Sequence, residues 1–542
     1  MGGTRRVTGP LLRATPHRRH QQTWTAHREP GLHALVPAQR TGAHDTTSPG
    51  THDTAAALIE RSGRHQRIVI PPRRARHREN VPPTLVVAAL GALVGACVFA
   101  AVGRALVDDA YLALSYARTL GLHGGWGVHP GMTANTAASP LTVLLTGGVT
   151  ALTRDAFAAT GVVLTVTFAA LGAALTRIGA RLGLPAHRAP AFGLALLATS
   201  PLLLSTIGLE SYLALALTTG LAERALAGRR WTAGVLAGLL VLTRPDLVVV
   251  GLVAVAVAGR GRWRVALAAA ATALPWFAWS WWVLGSAVPD TLLVFTGAGR
   301  GPWDYASGPL LWWERFPVAT TLVALPVVAG LLALPYWLRR SDLRPVGAVL
   351  GLGAIAHAGV MSLLGVAPSH WLYAPAAGGL GLLAALTCAR ARTVPVRVVA
   401  GSGAVALAVT CVLTATGSVL PPMTSNWAST AQYVRVADRL PTGATIESPG
   451  EVGTLAYYCG CRVVDGLADR GSLSPAIESR LASATGPEGS LLRLNYQRFR
   501  PVAPAPREYR ITTRVVREPT APMGTRWGPW RTWDLEAVPA PR

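Results

Sequence analysis

The sequence predicts a polytopic, mainly α-helical membrane protein with a small mixed α/β domain at its C-terminal end. Three observations carry this. Of 542 residues, 51% are hydrophobic and only 14% charged, with a mean hydropathy of +0.36; a soluble chain carries charge on about a quarter of its residues. Apolar runs long enough to cross a bilayer recur from residue 82 to residue 420, giving about eleven spans at about 20 residues each. The arginine-dense short loops between those runs all fall on one side. The 50 basic residues, set against 26 acidic ones, are all arginine. Because many of them lie in these loops, the excess does not point to nucleic acid. Five cysteines are too few for a disulfide framework.

Residues 1–80 form a zone of their own, with fourteen arginines, five acids, eight of the thirteen histidines and no apolar periodicity. They are expected to be a disordered, basic cytoplasmic extension. No apolar core with a small-residue cleavage site follows within the first thirty residues, so this is not a secretory signal. Arg73, Arg74, Arg76 and Arg78 precede the first span, Pro82 to Leu106, and place that side in the cytoplasm. The loop from Val107 to Pro140 is then the first external loop.

Later spans alternate accordingly. Ala156 to Thr176 returns to the basic loop 177–188, Ala191 to Thr206 goes out, and Tyr212 to Glu223 comes back. Ala233 to Leu242 and Leu247 to Ala258 are each too short to cross alone at about 1.5 Å per residue, so they are expected to form a bent hairpin. Val265 to Leu284, Val318 to Leu338, Val346 to Val366, Leu372 to Ala389 and Val398 to Leu420 complete the domain 81–420. The odd number of full crossings leaves 421–542 outside. In that tail Asn426 to Leu440 reads as a helix, while Ala444 to Ser448, Arg462 to Asp465 and Arg510 to Arg517 read as strands. Cys459 and Cys461 leave a strained one-residue bridge or two free thiols open.

Several residues carry candidate chemistry. Asp108 and Asp109 stand directly after the first span, where carboxylates are costly and are usually retained for chemistry or ion handling. They also suit the start of a helix, whose positive end they would face. Glu210 follows Gly208 and Leu209 at an outer helix end. Arg244 sits at the hairpin bend, with Asp246 as its simplest partner. Asp290 closes the segment Gly285 to Asp290, near seven tryptophans (Trp276, Trp279, Trp281, Trp282, Trp303, Trp312, Trp313) that read as an interfacial belt. His370 begins another span.

Asp108, Asp109, Ala110, Tyr111, Tyr116, Ala117, Arg118, His123, Gly124, Pro130, Gly131, Ser139, Pro140 and Leu141 together resemble the first external loop of GT-C glycosyltransferases. The branch in view contains the terminal β-1,2-arabinofuranosyltransferases and related mannosyltransferase-like membrane proteins. Gly208 to Ser211, Gly285 to Thr291, Ser369 to Pro375, and Gly450 to Gly453 with Val464 to Leu467 extend the resemblance through about residue 475. The loop departs from the branch in lacking Glu-Gly-Tyr before Ser139. Asp290 stands where asparagine is usual, and a lysine after it is missing, with Arg300 the one substitute nearby.

The resemblance implies an inverting, plasma-membrane GT-C enzyme. It would move a sugar, arabinofuranose first and mannose second, from a polyprenyl-phosphate donor to a cell-envelope glycan on the extracytoplasmic face. Asp108 or Asp109 would be the general base, and two adjacent acids are also competent to hold a divalent cation. Arg118, Glu210, Arg244, Arg300 and His370 are the candidates for binding donor phosphate or sugar, with Arg118 first because it belongs to the matched loop. A transporter or flippase for an envelope glycolipid is the opposing class. It would favour paired repeats and midplane charges; no repeat is evident, and the acids gather at one outer face. A non-catalytic scaffold, with the acid pair dispensable, is the third.

Overall fold

In a computed structural model of the protein, the described residues are 83–291, 303–391, 394–415 and 421–540, apart from 425, 427, 449, 467 and 516–532. The expected N-terminal extension and Arg300 lie outside them. Six described helices are long and apolar enough to cross a membrane: Pro83–Ala105, Ala156–Arg181, Gly259–Leu284, Pro317–Arg339, Arg344–Leu363 and His370–Ala391. Each follows an expected span closely, because continuous apolar runs of 20 or more residues satisfy their own backbone in lipid only as helices.

The remaining apolar runs are shorter or interrupted. The expected span 191–206 is a helix, Arg188–Thr199, broken at Ser200 before the turn Pro201–Leu204. Proline at the first position of the new turn supplies no N–H to the old one. Helix α7, Ser211–Leu226, runs from Glu210 to the arginine-rich end. The expected hairpin is present: α8, Arg230–Thr243, meets α9, Val248–Val257, through a 3-10 turn at Pro245–Leu247.

The first loop holds two helices. Helix α2, Asp108–His123, starts at the acid pair and ends at Gly124, whose φ of 69° closes a left-handed cap. Helix α3, Pro140–Thr153, begins at the Ser-Pro pair and ends in a similar left-handed cap at Arg154. At 16 and 14 residues they are about 24 and 21 Å long, short of the ~30 Å hydrocarbon thickness.

The C-terminal part carries a four-stranded sheet in the order β2-β1-β3-β4. Strand β1 (Thr445–Glu447) is parallel to β2 (Arg462–Val464) and to β3 (Tyr509–Val515), and β3 is antiparallel to β4 (Trp533–Pro539). Three of these strands match the expected ones; β4 was not foreseen. Cys459 and Cys461 are joined by a disulfide. The sheet and the first loop share one hydrophobic core. Leu112 and Tyr116 of α2, with Trp126 and Val128, pack among Tyr433, Ile446, Leu455 and Val463. The boundary near residue 420 thus separates composition and not cores.

Candidate active site at the first loop

Local backbone geometry brings the site together. Gly208 has a φ of 89°, and an added Cβ would lie 2.7 Å from the Cβ of Ala110. Only glycine lets the turn before Glu210 press this closely against α2. The hairpin tip arrives from the other side. Arg244 donates from Nη1 to Glu210 Oε1 at 3.1 Å and from Nη2 to Asp246 Oδ2 at 3.0 Å. Asp246 Oδ2 also lies 2.7 Å from His357 Nε2, a histidine with no exposed surface. A buried arginine paired in this way is fixed in place and charge-compensated.

Glu210, Arg244 and Asp246 line one cavity of about 150 Å³ together with Asp109, Tyr116, Thr136, Ser139, Pro289, Thr291 and Trp371. Asp109 is half-buried and ion-pairs with no described residue. Burial, then the neighbouring charges of Asp108 and Glu210, push its carboxyl up to about 7. A carboxyl titrating near neutrality can hold or release a proton under working conditions. Among the described lining residues Arg244 is the one permanent cation.

The two acids have different surroundings. Asp108 is 5% exposed and accepts three backbone N–H groups: Val452 at 2.8 Å, Gly453 at 2.9 Å and Thr454 at 2.8 Å. It caps the short helix Gly453–Tyr458 and does not line the cavity. With both oxygens engaged it is not placed to act as a base. Among the described residues, no group of three or more His, Cys, Asp or Glu is arranged to hold a metal ion.

The remaining expected site residues separate. Arg118 does not reach the cavity. Its guanidinium donates to the carbonyls of Tyr457 at 2.7 Å and Ala456 at 3.1 Å, and lies over the Tyr457 ring at 4.7 Å. It therefore closes the C-terminal end of the helix that Asp108 opens, each charge matching the end it meets. His370 lines a different, apolar groove of about 440 Å³ with Tyr305 and Tyr373, and its Nε2 meets the Ser205 carbonyl at 3.2 Å. Arg300 is not among the described residues. Glu210 and Arg244 are thus the expected binding residues found beside Asp109.

The partners that hold the segment of Asp290 were not legible in advance. Asp290 is fully buried and pairs with Arg470, Nε to Oδ2 at 3.1 Å. Its carboxyl also accepts from Ser286 Oγ at 2.8 Å. Asn135 donates to the Ser286 carbonyl at 3.0 Å, and Asn495 Oδ1 accepts from the amides of Ala287 and Val288. The loop 285–291 is therefore held from both the first loop and the C-terminal part, which presents Val288, Pro289 and Thr291 to the cavity. His129 Nε2 accepts from the Val463 amide at 3.1 Å; burial, then the charges of Arg118 and Arg462, lower its pKa to about 4.

No family model and no curated protein matches the chain. Solved structures do. ArnT from Cupriavidus metallidurans bound to undecaprenyl phosphate is 15% identical, with a TM-score of 0.50, covering 83% of this chain and 97% of that one. The same protein in the apo state is also 15% identical at a TM-score of 0.50, covering 79% and 92%. The mycobacterial arabinofuranosyltransferase AftD is 19% identical with a TM-score of 0.38, covering 67% of this chain and 29% of its own. The chain thus has the GT-C-type polytopic membrane fold, the fold of ArnT.

Proposed function

We propose that the protein is a membrane glycosyltransferase that takes its sugar from a polyprenyl-phosphate donor. The observation that carries this reading is the half-buried Asp109, without an ion-pair partner among the described residues, in a cavity beside Glu210 and Arg244. The Asp109 carboxylate takes the proton of the acceptor hydroxyl as that oxygen bonds to the anomeric carbon. The bond from the anomeric carbon to the phosphate oxygen breaks, and polyprenyl phosphate leaves. Arg244 faces the developing negative charge. Attack opposite the leaving group inverts the anomeric centre.

Donor binding follows from the same layout. ArnT, of the same fold, is described bound to undecaprenyl phosphate. Here an apolar groove of about 440 Å³ adjoins the cavity: Met361, Trp371 and Leu372 line the cavity, and Ser362, His370 and Tyr373 line the groove. In this reading the groove takes lipid chain and the cavity takes phosphate and sugar. Arabinofuranose remains the first choice of sugar, mannose the second, and an extracytoplasmic envelope glycan the acceptor.

The test uses purified protein in nanodiscs with radiolabelled polyprenyl-phosphate arabinofuranose or polyprenyl-phosphate mannose and an arabinan or mannan oligosaccharide. Label appearing on the oligosaccharide, with free polyprenyl phosphate released, supports the reading. No transfer from either donor, or transfer from a nucleotide sugar in its place, contradicts it.

A further inference from the structure

A second concave surface lies away from the Asp109 cavity. It is an apolar groove of about 670 Å³ between Ala156–Arg181 (α4), α7 and α8, lined by Val162, Val166, Leu217 and Val235 and ended by Arg177 and Arg224. Val162, Val166 and Val235 are 44, 61 and 42% exposed. They lie on apolar helices, where the surrounding solvent is hydrocarbon.

The polar end is unbalanced. Glu223 has no exposed surface and is met by three guanidinium groups: Arg224 at 2.8 Å, Arg181 at 3.2 Å and Arg177 at 3.8 Å. Three positive charges on one carboxylate leave a net charge of about two positive at the mouth of an apolar groove, where an anion is favoured. The Nε of Arg177, 3.8 Å from Glu223 Oε2, makes no hydrogen bond among the described residues. Arginine's planar fork suits a phosphate. Glu210 and Arg224 stand at opposite ends of α7, fourteen residues and about 21 Å apart. An anion at Arg224 is therefore not the one handled beside Asp109.

We infer that this groove binds an anionic glycerophospholipid, one acyl chain along α4 and α7 and its phosphate on Arg177 and Arg224. From Val162 to Arg177 the groove follows α4 for about 22 Å, inside the ~30 Å hydrocarbon thickness. The lipid is structural, and binding is independent of the glycosyl-transfer reading.

The test is native mass spectrometry of the whole protein in detergent. It is given equimolar dioleoylphosphatidylglycerol, dioleoylphosphatidylcholine and polyprenyl phosphate, with millimolar inorganic phosphate in a separate arm. Phosphatidylglycerol should be retained about tenfold over phosphatidylcholine, and free phosphate should not displace it. Arg177→Gln, which leaves two arginines on Glu223, should lower that retention about tenfold. Val166→Trp, a change at an exposed position, should fill the groove and lower it likewise, with Tm in lipid-free detergent unchanged. Equal retention of the two phospholipids, displacement by polyprenyl phosphate or free phosphate, or full retention by a folded Val166→Trp would overturn the inference.

Discussion

Asp108 and Asp109 are adjacent, yet one is tied to three amides and the other faces a cavity. In a helix, neighbouring residues point about 100° apart, so two adjacent acids rarely share one job. The pair itself was plain in the sequence, and so was its place after the first span. Which acid faced the cavity depended on a helix some 344 residues later in the chain, beyond the reach of local pattern. Arg118 was misplaced for the same reason: helix periodicity aims it back toward the acids, while its carbonyl partners come from Ala456 and Tyr457. His129 gives a prediction at this scale. Its folded pKa of about 4 lies below the ordinary 6.5, so the unfolded chain binds the proton more tightly. Its contribution is intact above 6.5 and is lost as pH falls toward 4, up to about 3 kcal/mol. The stability difference between wild type and His129→Gln, measured by thermal unfolding in detergent, should move in favour of the variant across that window. A difference independent of pH would show that His129 is not held neutral.

The contact between α2 and the helix Gly453–Tyr458 is the element on which the site rests. A Cβ at Gly453 would lie 2.0 Å from the Asp108 carbonyl and 2.3 Å from the Leu112 amide, both backbone atoms that cannot rotate away. Gly453→Ala should therefore force the helices apart and lower stability by about 2 kcal/mol or more, with loss of transfer. Gly148→Ala in α3, where an added Cβ meets nothing within 4 Å, should leave both unchanged, as read by Tm and turnover. The segment Gly450-Glu451-Val452-Gly453 was visible as a resemblance, but its physical purpose was not. Glycine at 453 supplies a close approach, and Glu451 accepts from the Tyr433 hydroxyl at 2.6 Å.

At the scale of the molecule, the membrane helices were legible because apolar length is a direct physical requirement of a bilayer. Packing between distant segments was not, because charge pairs such as Asp290 and Arg470 stand 180 residues apart. Arg470→Gln leaves Asp290 buried without its cation, a loss of about 3–5 kcal/mol. In the Asp290→Asn background the same change should cost much less, and a double-mutant cycle by thermal unfolding reads the difference. Equal costs in both backgrounds would mean that the pair does not couple the two parts. The arginine-dense loops at 177–188, 224–230, 260–264, 339–344 and 390–397 lead us to propose an extracytoplasmic C terminus. A reporter that works only in the cytoplasm should stay silent when fused after Arg542; strong activity would invert the assignment.

The most direct measurement of the central claim compares Asp109→Asn with Asp108→Asn in the nanodisc transfer assay, with Tm recorded for each. Asp109→Asn removes a proton acceptor that no described residue needs as a partner. Turnover should fall by about 10²–10⁴-fold while Tm holds. Wild-type turnover should rise with pH through about 7 as the Asp109 carboxyl ionises. Asp108→Asn places an amide against three backbone N–H donors and should cost about 2–3 kcal/mol of stability. Near-normal turnover in folded Asp109→Asn would contradict the account.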